Sequence, residues 1–315
     1  MRKPVKLVNT KTISHEEWVE LRKRSIGGSD AGTIMGMNPY SSLITLYAEK
    51  TGLSKPRGDN EAMRQGRDLE AYVAERYMEI TGNKVQNDNF MYHHPDYEFI
   101  TANIDRRIVG KNGGLECKTM SAFNGYDLEG NVIPPSYFCQ CQHYMLVMGF
   151  DFMDLCILVF QKPPYIFHIE RDDEFIEQML QAEIDFWSDY IEKGEMPAVD
   201  GSEPSLETLK EIYPMAVPES SIAISGLDRM VEDYKMLGEM AKDYEDRKKA
   251  LQGKICALLG DNEEGTGDRY GVTWKTQEKR SVDAKMLKEK YPAIYDECST
   301  LSSFRTFRTK KIKKK

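Results

Sequence analysis

The stretch Gly110-Lys111-Asn112-Gly113-Gly114 limits what this chain can build more than any other. It lies between an apolar run carrying Asp105 and the segment Leu115-Glu116-Cys117-Lys118-Thr119. A glycine-rich turn between two extended runs closes a β-hairpin. In a strand, alternate side chains share a face. Glu116 and Lys118 then point one way, and Leu115 and Cys117 point into packing. Closing the hairpin brings Asp105 beside them, converging two carboxylates and one ammonium on one side of a sheet.

That trio suits metal-dependent hydrolysis. Two hard oxygen ligands hold Mg²⁺, which keeps waters and takes further ligands from a phosphate. The metal acidifies a bound water and neutralises phosphoryl charge, and an adjacent lysine orients the water and stabilises developing negative charge. The same spacing also fits a surface hairpin with a cross-strand Glu/Lys pair, worth a few tenths of a kcal/mol.

The net charge of −8 argues against a general polyanion binder. Seven basic side chains fall in the last eleven residues, leaving the rest of the chain at −15. Contact with nucleic acid must therefore be local, at a site or through the tail. No apolar run approaches the roughly 18 residues that span a bilayer, and Met1-Arg2-Lys3-Pro4 lacks an apolar signal region. Six scattered cysteines suit reduced thiols, so a cytoplasmic protein is expected.

In chain order, Ser14-His15-Glu16-Glu17 reads as a capping box opening a helix with Trp18, Leu21 and Arg22. Gly27-Gly28 precede Ser29-Asp30, read as the cap of a short helix through Met35. The free N–H groups there offer an anion site within reach of Arg22, and the same segment also fits an ordinary helix–turn–helix corner. Helices follow over 41–50 and 61–81, the latter presenting Glu70 as a candidate third carboxylate or as an i,i+3 partner of Arg67. A polar loop lies between them over 53–60. Strands are expected at 85–92, 99–109 and 114–119, then a polar loop over 121–133 with Gly125 and Gly130. A helix over 135–149 carries Gln140, His143 and Tyr144. Cys139-x-Cys141-x-His143 cannot chelate one ion, because i and i+2 diverge by about 200° on a helix. Strands at 153–160 and 165–170 and a helix over 172–193 complete a mixed sheet covered by helices.

Residues 196–222, with several prolines and one short helix, read as a linker or wrapping segment. Beyond them Leu227, Met230, Tyr234, Leu237, Ala241, Tyr244, Lys248, Leu251, Ile255 and Leu258 step by three and four. That is a heptad seam broken once, at Lys248, and it calls for a partner helix. A strand at 270–276, a helix at 283–290 and a strand near 303–308 precede the basic tail, 305–315. The expected domains are thus a 1–195 core, the 196–222 linker, a 223–304 extension with the long helix and a small β element, and the tail.

Six motifs occur in order: Trp18-x-x-Leu21-Arg22, Ile26-Gly27-Gly28-Ser29-Asp30-Ala31, Gly66-x-x-Leu69-Glu70, Asn103-x-Asp105-Arg106, Leu115-Glu116-Cys117-Lys118-Thr119 and Tyr137-x-x-Gln140-x-Gln142-x-Tyr144-Met145. Together they resemble the YqaJ-type viral recombinase family, grouped with phage lambda exonuclease in the PD-(D/E)xK nuclease fold, over roughly residues 12–195. The resemblance implies a restriction-endonuclease-like α/β (α+β) core. It implies a Mg²⁺-dependent 5′→3′ exonuclease, with Mn²⁺ as a substitute, that acts on linear double-stranded DNA. The product is a 3′ overhang for a single-strand annealing protein. By the same resemblance, Asp105, Glu116 and the Cys117 carbonyl ligate metal, Glu70 supports a second metal through water, and Lys118 positions the attacking water. Gln140 orients the nucleophile, and Arg22 and Ser29 hold the 5′-phosphate. Relatives form a toroidal trimer, so a homo-oligomer is implied, in the host cytoplasm if phage-encoded.

Two other readings of the residues stay open. One is a catalytically inactive DNA-binding or assembly protein that works through the heptad helix and tail. The other is a RecB-like or iron–sulfur repair nuclease, for which Cys117, Cys139, Cys141 and Cys156 are poorly spaced.

Overall fold

The computed structural model describes residues 3–54, 60–121 and 126–311. Most of the polar loop at 53–60, Gly125 and the last four tail residues lie outside that set. The chain forms two compact units, Met1–Pro214 and Met215–Lys315.

The first unit is built on a five-stranded mixed sheet in the order β2-β5-β6-β7-β8: β2 (Val85–Asn87), β5 (Arg106–Ile108), β6 (Gly113–Met120), β7 (Phe152–Val159) and β8 (Tyr165–Glu170). The expected hairpin is β5–β6, with Arg106 opposite Leu115 and Arg107 opposite Gly114. β6 and β7 run parallel, and α5 (Pro135–Met148) is the crossover that such a pair requires. Gly114 is needed because a Cβ there would sit 2.6 Å from the Met153 sulfur. The hairpin arm can thus lie flush on β7.

Helices cover both faces. α4 (Glu61–Thr81) starts at the Asn60 cap and stops at Gly82 in the left-handed region. It buries Val73, Ala74 and Tyr77 against Leu115, Ile108 and Cys156. On the opposite face Met153, Leu155, Ile157 and Val159 of β7 pack beneath Met145 and Val147 of α5. Each face is one parity of the strand alternation.

The long strands expected at 85–92 and 99–109 each divide between two sheets. β3 (Phe90–His93) and β4 (Thr101–Ala102) join β1 (Val5–Asn9), a strand the sequence pattern did not suggest, in the order β1-β3-β4. The first break falls at Asp88, whose carboxylate accepts from Phe90 N–H, the Tyr92 hydroxyl and Arg107 Nε. Those bonds replace ladder bonds and turn the chain.

α1 (His15–Lys23) carries the Ser14/Glu17 capping box in full. α2 (Gly28–Ile34) starts earlier than expected, capped by Gly27 rather than Ser29. α3 (Leu43–Thr51) follows. α6 (Asp173–Asp185) continues the expected 172–193 helix only in part, since Phe186–Glu192 widens to π-helix. Within the stretch read as a linker, α7 (Glu203–Ile212) docks on α3 through the Thr45–Thr208 hydroxyl pair, 2.8 Å apart.

The second unit holds α8 (Leu227–Leu259), the hairpin β9 (Glu264–Thr266) and β10 (Gly271–Thr273), and two short helices, α9 (Ala284–Lys290) and α10 (Pro292–Cys298). The strand expected near 303–308 does not form. Its alternating pattern has no neighbouring strand to supply ladder bonds. No helix among the described residues is long and apolar enough to cross a membrane.

Candidate active site

Continuing the β5–β6 register by one residue sets Asp105 opposite Glu116. Asp105 Oδ2 accepts the Cys117 N–H at 2.8 Å, so its carboxylate is fixed by the backbone of the partner strand. Glu116 and Lys118 share the face covered by α5, and Lys118 Nζ lies 2.7 Å from Glu116 Oε1. Leu115 and Cys117 face α4. The trio read from the hairpin is therefore assembled as expected.

The βαβ crossover supplies the next component. α5 lies over β6 and sends Gln140 down onto the carboxylate, with Nε2 donating to Glu116 Oε1 at 2.7 Å and to the Tyr144 hydroxyl at 2.9 Å. Glu116 is only 3% exposed, in a row otherwise filled by Leu155 and Ile157. Its other oxygen, Oε2, is buried with no hydrogen-bond partner among the described residues. A buried carboxylate oxygen without a partner carries a large desolvation cost, which a cation would offset.

The electrostatics agree. Burial, then the Glu116 and Glu70 carboxylates, push the Asp105 carboxyl well above the usual range. Burial opposes the charge on Lys118, but Glu116 and Asp105 more than offset it and hold its amine above the ordinary lysine value. The site favours added positive charge, and the donors are hard oxygens, which suits Mg²⁺ or Mn²⁺. Among the described residues no three His, Cys, Asp or Glu side chains form a metal-holding group by themselves. The set here is two carboxylates, Asp105 and Glu116. Glu70 is near enough to act on Asp105, but its carboxylate is held by Arg106.

The second cluster lies on α1, α2 and α3. Arg22 Nη2 donates to Ser29 Oγ at 2.7 Å, and its guanidinium lies 5.0 Å from the Trp18 ring centroid. Because Gly27 takes the cap position, the Ser29 hydroxyl is available for this bond. Lys50 contributes what the sequence pattern did not reveal. Its ammonium bonds Arg22 O at 2.7 Å, Ser25 O at 2.6 Å and Asp30 Oδ2 at 2.6 Å. Burial opposes ionisation of Asp30, but Lys50 and Arg22 outweigh it and hold its carboxyl below the usual range. Lys50 sits 28 residues from Arg22 with no local pattern joining them.

Gly28 connects the two clusters. A Cβ there would meet Tyr144 Cε1 at 2.6 Å and Gln140 Cγ at 3.1 Å, so the Ser29 end of α2 abuts the side chains that hold Glu116. Gly28→Ala is expected to displace Gln140 and Tyr144, cost about 1–3 kcal/mol by overpacking, and lower any activity of the site by more than the loss of folded protein accounts for. Urea unfolding alongside activity checks this; an alanine variant with wild-type values of both would show that the contact is dispensable.

The Cys139-x-Cys141-x-His143 triplet does not converge. Cys139 Sγ lies 3.4 Å from the Met37 sulfur, while both His143 ring nitrogens are taken by Glu183 and Thr101.

Residues 17–151 match the YqaJ-like viral recombinase domain. The chain is also similar to an alkaline exonuclease (LHK-Exo) from Laribacter hongkongensis, 23% identical with a TM-score of 0.47, covering 56% of this chain and 93% of that one. It is similar to a phage-related exonuclease from Haemophilus somnus 129PT, 15% identical with a TM-score of 0.43, covering 54% of this chain and 96% of that one. Along almost its whole length it resembles the YqaJ protein of Bacillus subtilis (strain 168), 34% identical over 310 residues and 97% of each chain. With that extent of identity spanning both units, the chain belongs to the YqaJ-like viral recombinase family.

Proposed function

We propose that the protein is a Mg²⁺-dependent 5′→3′ exonuclease on linear double-stranded DNA. It leaves 3′ single strands for an annealing protein in phage-type recombination. The observation that carries this reading is the convergence of Asp105, Glu116 and Lys118 at the β5–β6 hairpin, with Glu116 Oε2 buried and partnerless among the described residues. Asp105, Glu116 and the Cys117 carbonyl would hold the ion, with Glu70 in support and Mn²⁺ as a substitute. A bound divalent ion acidifies water and neutralises phosphoryl charge.

The chain's own groups do the rest. Lys118, charged at neutral pH, orients a water and faces the charge that develops on the phosphate. Gln140 holds Glu116 in place so that the carboxylate does not swing toward Lys118 alone. Arg22 and Ser29 offer paired donors to a terminal phosphate, a guanidinium being suited to bidentate phosphate contact. A homo-oligomer, of the trimeric kind the family resemblance implies, would keep the enzyme on its strand.

The test is end-labelled linear duplex with 5′-phosphate or 5′-hydroxyl ends, with and without EDTA. Loss of activity in EDTA and faster digestion of phosphorylated ends are expected. In Arg22→Ala the end preference should fall about tenfold or more, as for loss of a charge-assisted phosphate contact. EDTA-resistant digestion indifferent to the end group would overturn the reading.

A further inference from the structure

The 33-residue helix α8 buries only Leu259. The eight large apolar side chains of its heptad seam are each between 41% and 88% exposed. Tyr234 meets Phe307 edge-on at 5.3 Å, yet stays 57% exposed, so that contact does not cover the seam. Two interior glycines, Gly238 and Gly253, weaken the helix further. Long helices in water depend on packing of an apolar face rather than on propensity.

We propose that α8 pairs with α8 of a second copy of this chain, one from another trimer where the cores form trimers, as an antiparallel two-stranded coiled coil. The heptad places Leu227, Tyr234, Ala241, Lys248 and Ile255 at a, and Met230, Leu237, Tyr244, Leu251 and Leu258 at d. In a parallel pair each a residue meets its own copy. Lys248 would face the partner's Lys248, and Ala241 the partner's Ala241, placing a like-charge clash and a void in one core. In an antiparallel pair each a residue meets a d residue. Aligning Leu227 with the partner's Leu258 sets Ala241 against the partner's Tyr244, small against large. It also lays the Lys248 stem on the partner's Leu237.

The flanks discriminate in the same sense. In the antiparallel register the g positions face each other, so Asp233 meets the partner's Lys254 at both ends of the pair. In the parallel register Asp233 would meet the partner's Gly238 and Lys254 the partner's Leu259, with no complement. Eight large apolar side chains from each copy put the interface in the standard size class, about 1,200–2,000 Å². The Asp233–Lys254 charge match, the Ala241–Tyr244 volume match and sufficient area select a second copy over an unrelated helix.

Disulfide trapping in the full chain tests this independently of nuclease activity. Cys256 and Cys298, half-buried and exposed respectively, are first replaced by serine. Leu237→Cys and Lys248→Cys chains are then oxidised alone and after co-expression, with helicity checked by circular dichroism. A crossed dimer only on co-expression is the expected result. Asp233→Lys should lower its yield about tenfold, and Asp233→Lys/Lys254→Asp should restore it, as for a gained and removed like-charge contact. Cross-linking of either chain alone shows a parallel pair and overturns the proposal, as does a helical co-expressed sample that yields no crossed dimer.

Discussion

An Asp105→Asn chain is expected to digest linear duplex DNA roughly 10³-fold more slowly than wild type while melting at a higher temperature in EDTA. The two effects have one cause. Burial and two neighbouring carboxylates raise the Asp105 pKa above its unfolded value. A carboxyl whose folded pKa is raised costs the fold stability once pH rises above its unfolded value, about 3.9, and that cost is in place at neutral pH. The asparagine keeps an oxygen to accept the Cys117 N–H and removes the charge. A gain of about 1 kcal/mol would raise the melting temperature by about 2–4 °C in a unit of this size. Lys118→Ala should be equally slow. Unlike Asp105→Asn it should not gain stability, because it removes the cation that faces Glu116 at 2.7 Å. Opposite signs on activity and stability mark a site held against its own electrostatics. Full activity in Asp105→Asn would remove Asp105 from the reaction, and a lower melting temperature would show that its carboxylate does not burden the fold.

The legible parts of the protein are those set by local rules. Gly110 to Gly114 and the alternation after it gave the β5–β6 hairpin and the facing of Glu116 and Lys118. The Ser14/Glu17 cap, the Gly82 stop and the heptad steps gave α1, α4 and α8. What was not legible depends on partners far apart in sequence. Gln140 and Glu116 are 24 residues apart and were joined in one site only by the family resemblance, and Lys50 and Asp30, 20 apart, were not joined at all. No spacing rule connects such pairs; the crossover of α5 and the docking of α3 bring them together. The division of 85–92 and 99–109 between two sheets was hidden for a related reason. Asp88 draws its donors from both sheets, including Arg107 of β5, and strand propensity records only that the flanking residues are extended.

Glu183→Ala is expected to destabilise the first unit by roughly 3–5 kcal/mol, the cost of leaving one partner of a buried ion pair alone. His143 and Glu183 are fully buried, with Nδ1 2.7 Å from Glu183 Oε1 and Nε2 2.8 Å from the Thr101 carbonyl. A carbonyl only accepts, so Nε2 carries a proton. A carboxylate also accepts, so the arrangement calls for a doubly protonated, charged ring. Burial opposes that charge, yet Glu183 and the Thr101 carbonyl outweigh it and raise the His143 pKa. A histidine whose folded pKa is raised contributes stability that is complete below its unfolded value, about 6.5. That contribution is lost as pH rises through the higher folded value. Wild type should therefore lose stability toward alkaline pH, and His143→Phe should lose most of that slope. Replacing both groups with apolar residues, as in His143→Phe/Glu183→Leu, should cost less than Glu183→Ala alone, because no charge is then left unpaired. Urea unfolding at a series of pH values reads all three variants. A Glu183→Ala cost below about 1 kcal/mol, in the range of an exposed pair, would show that the pair does not hold α5, α6 and β4 together.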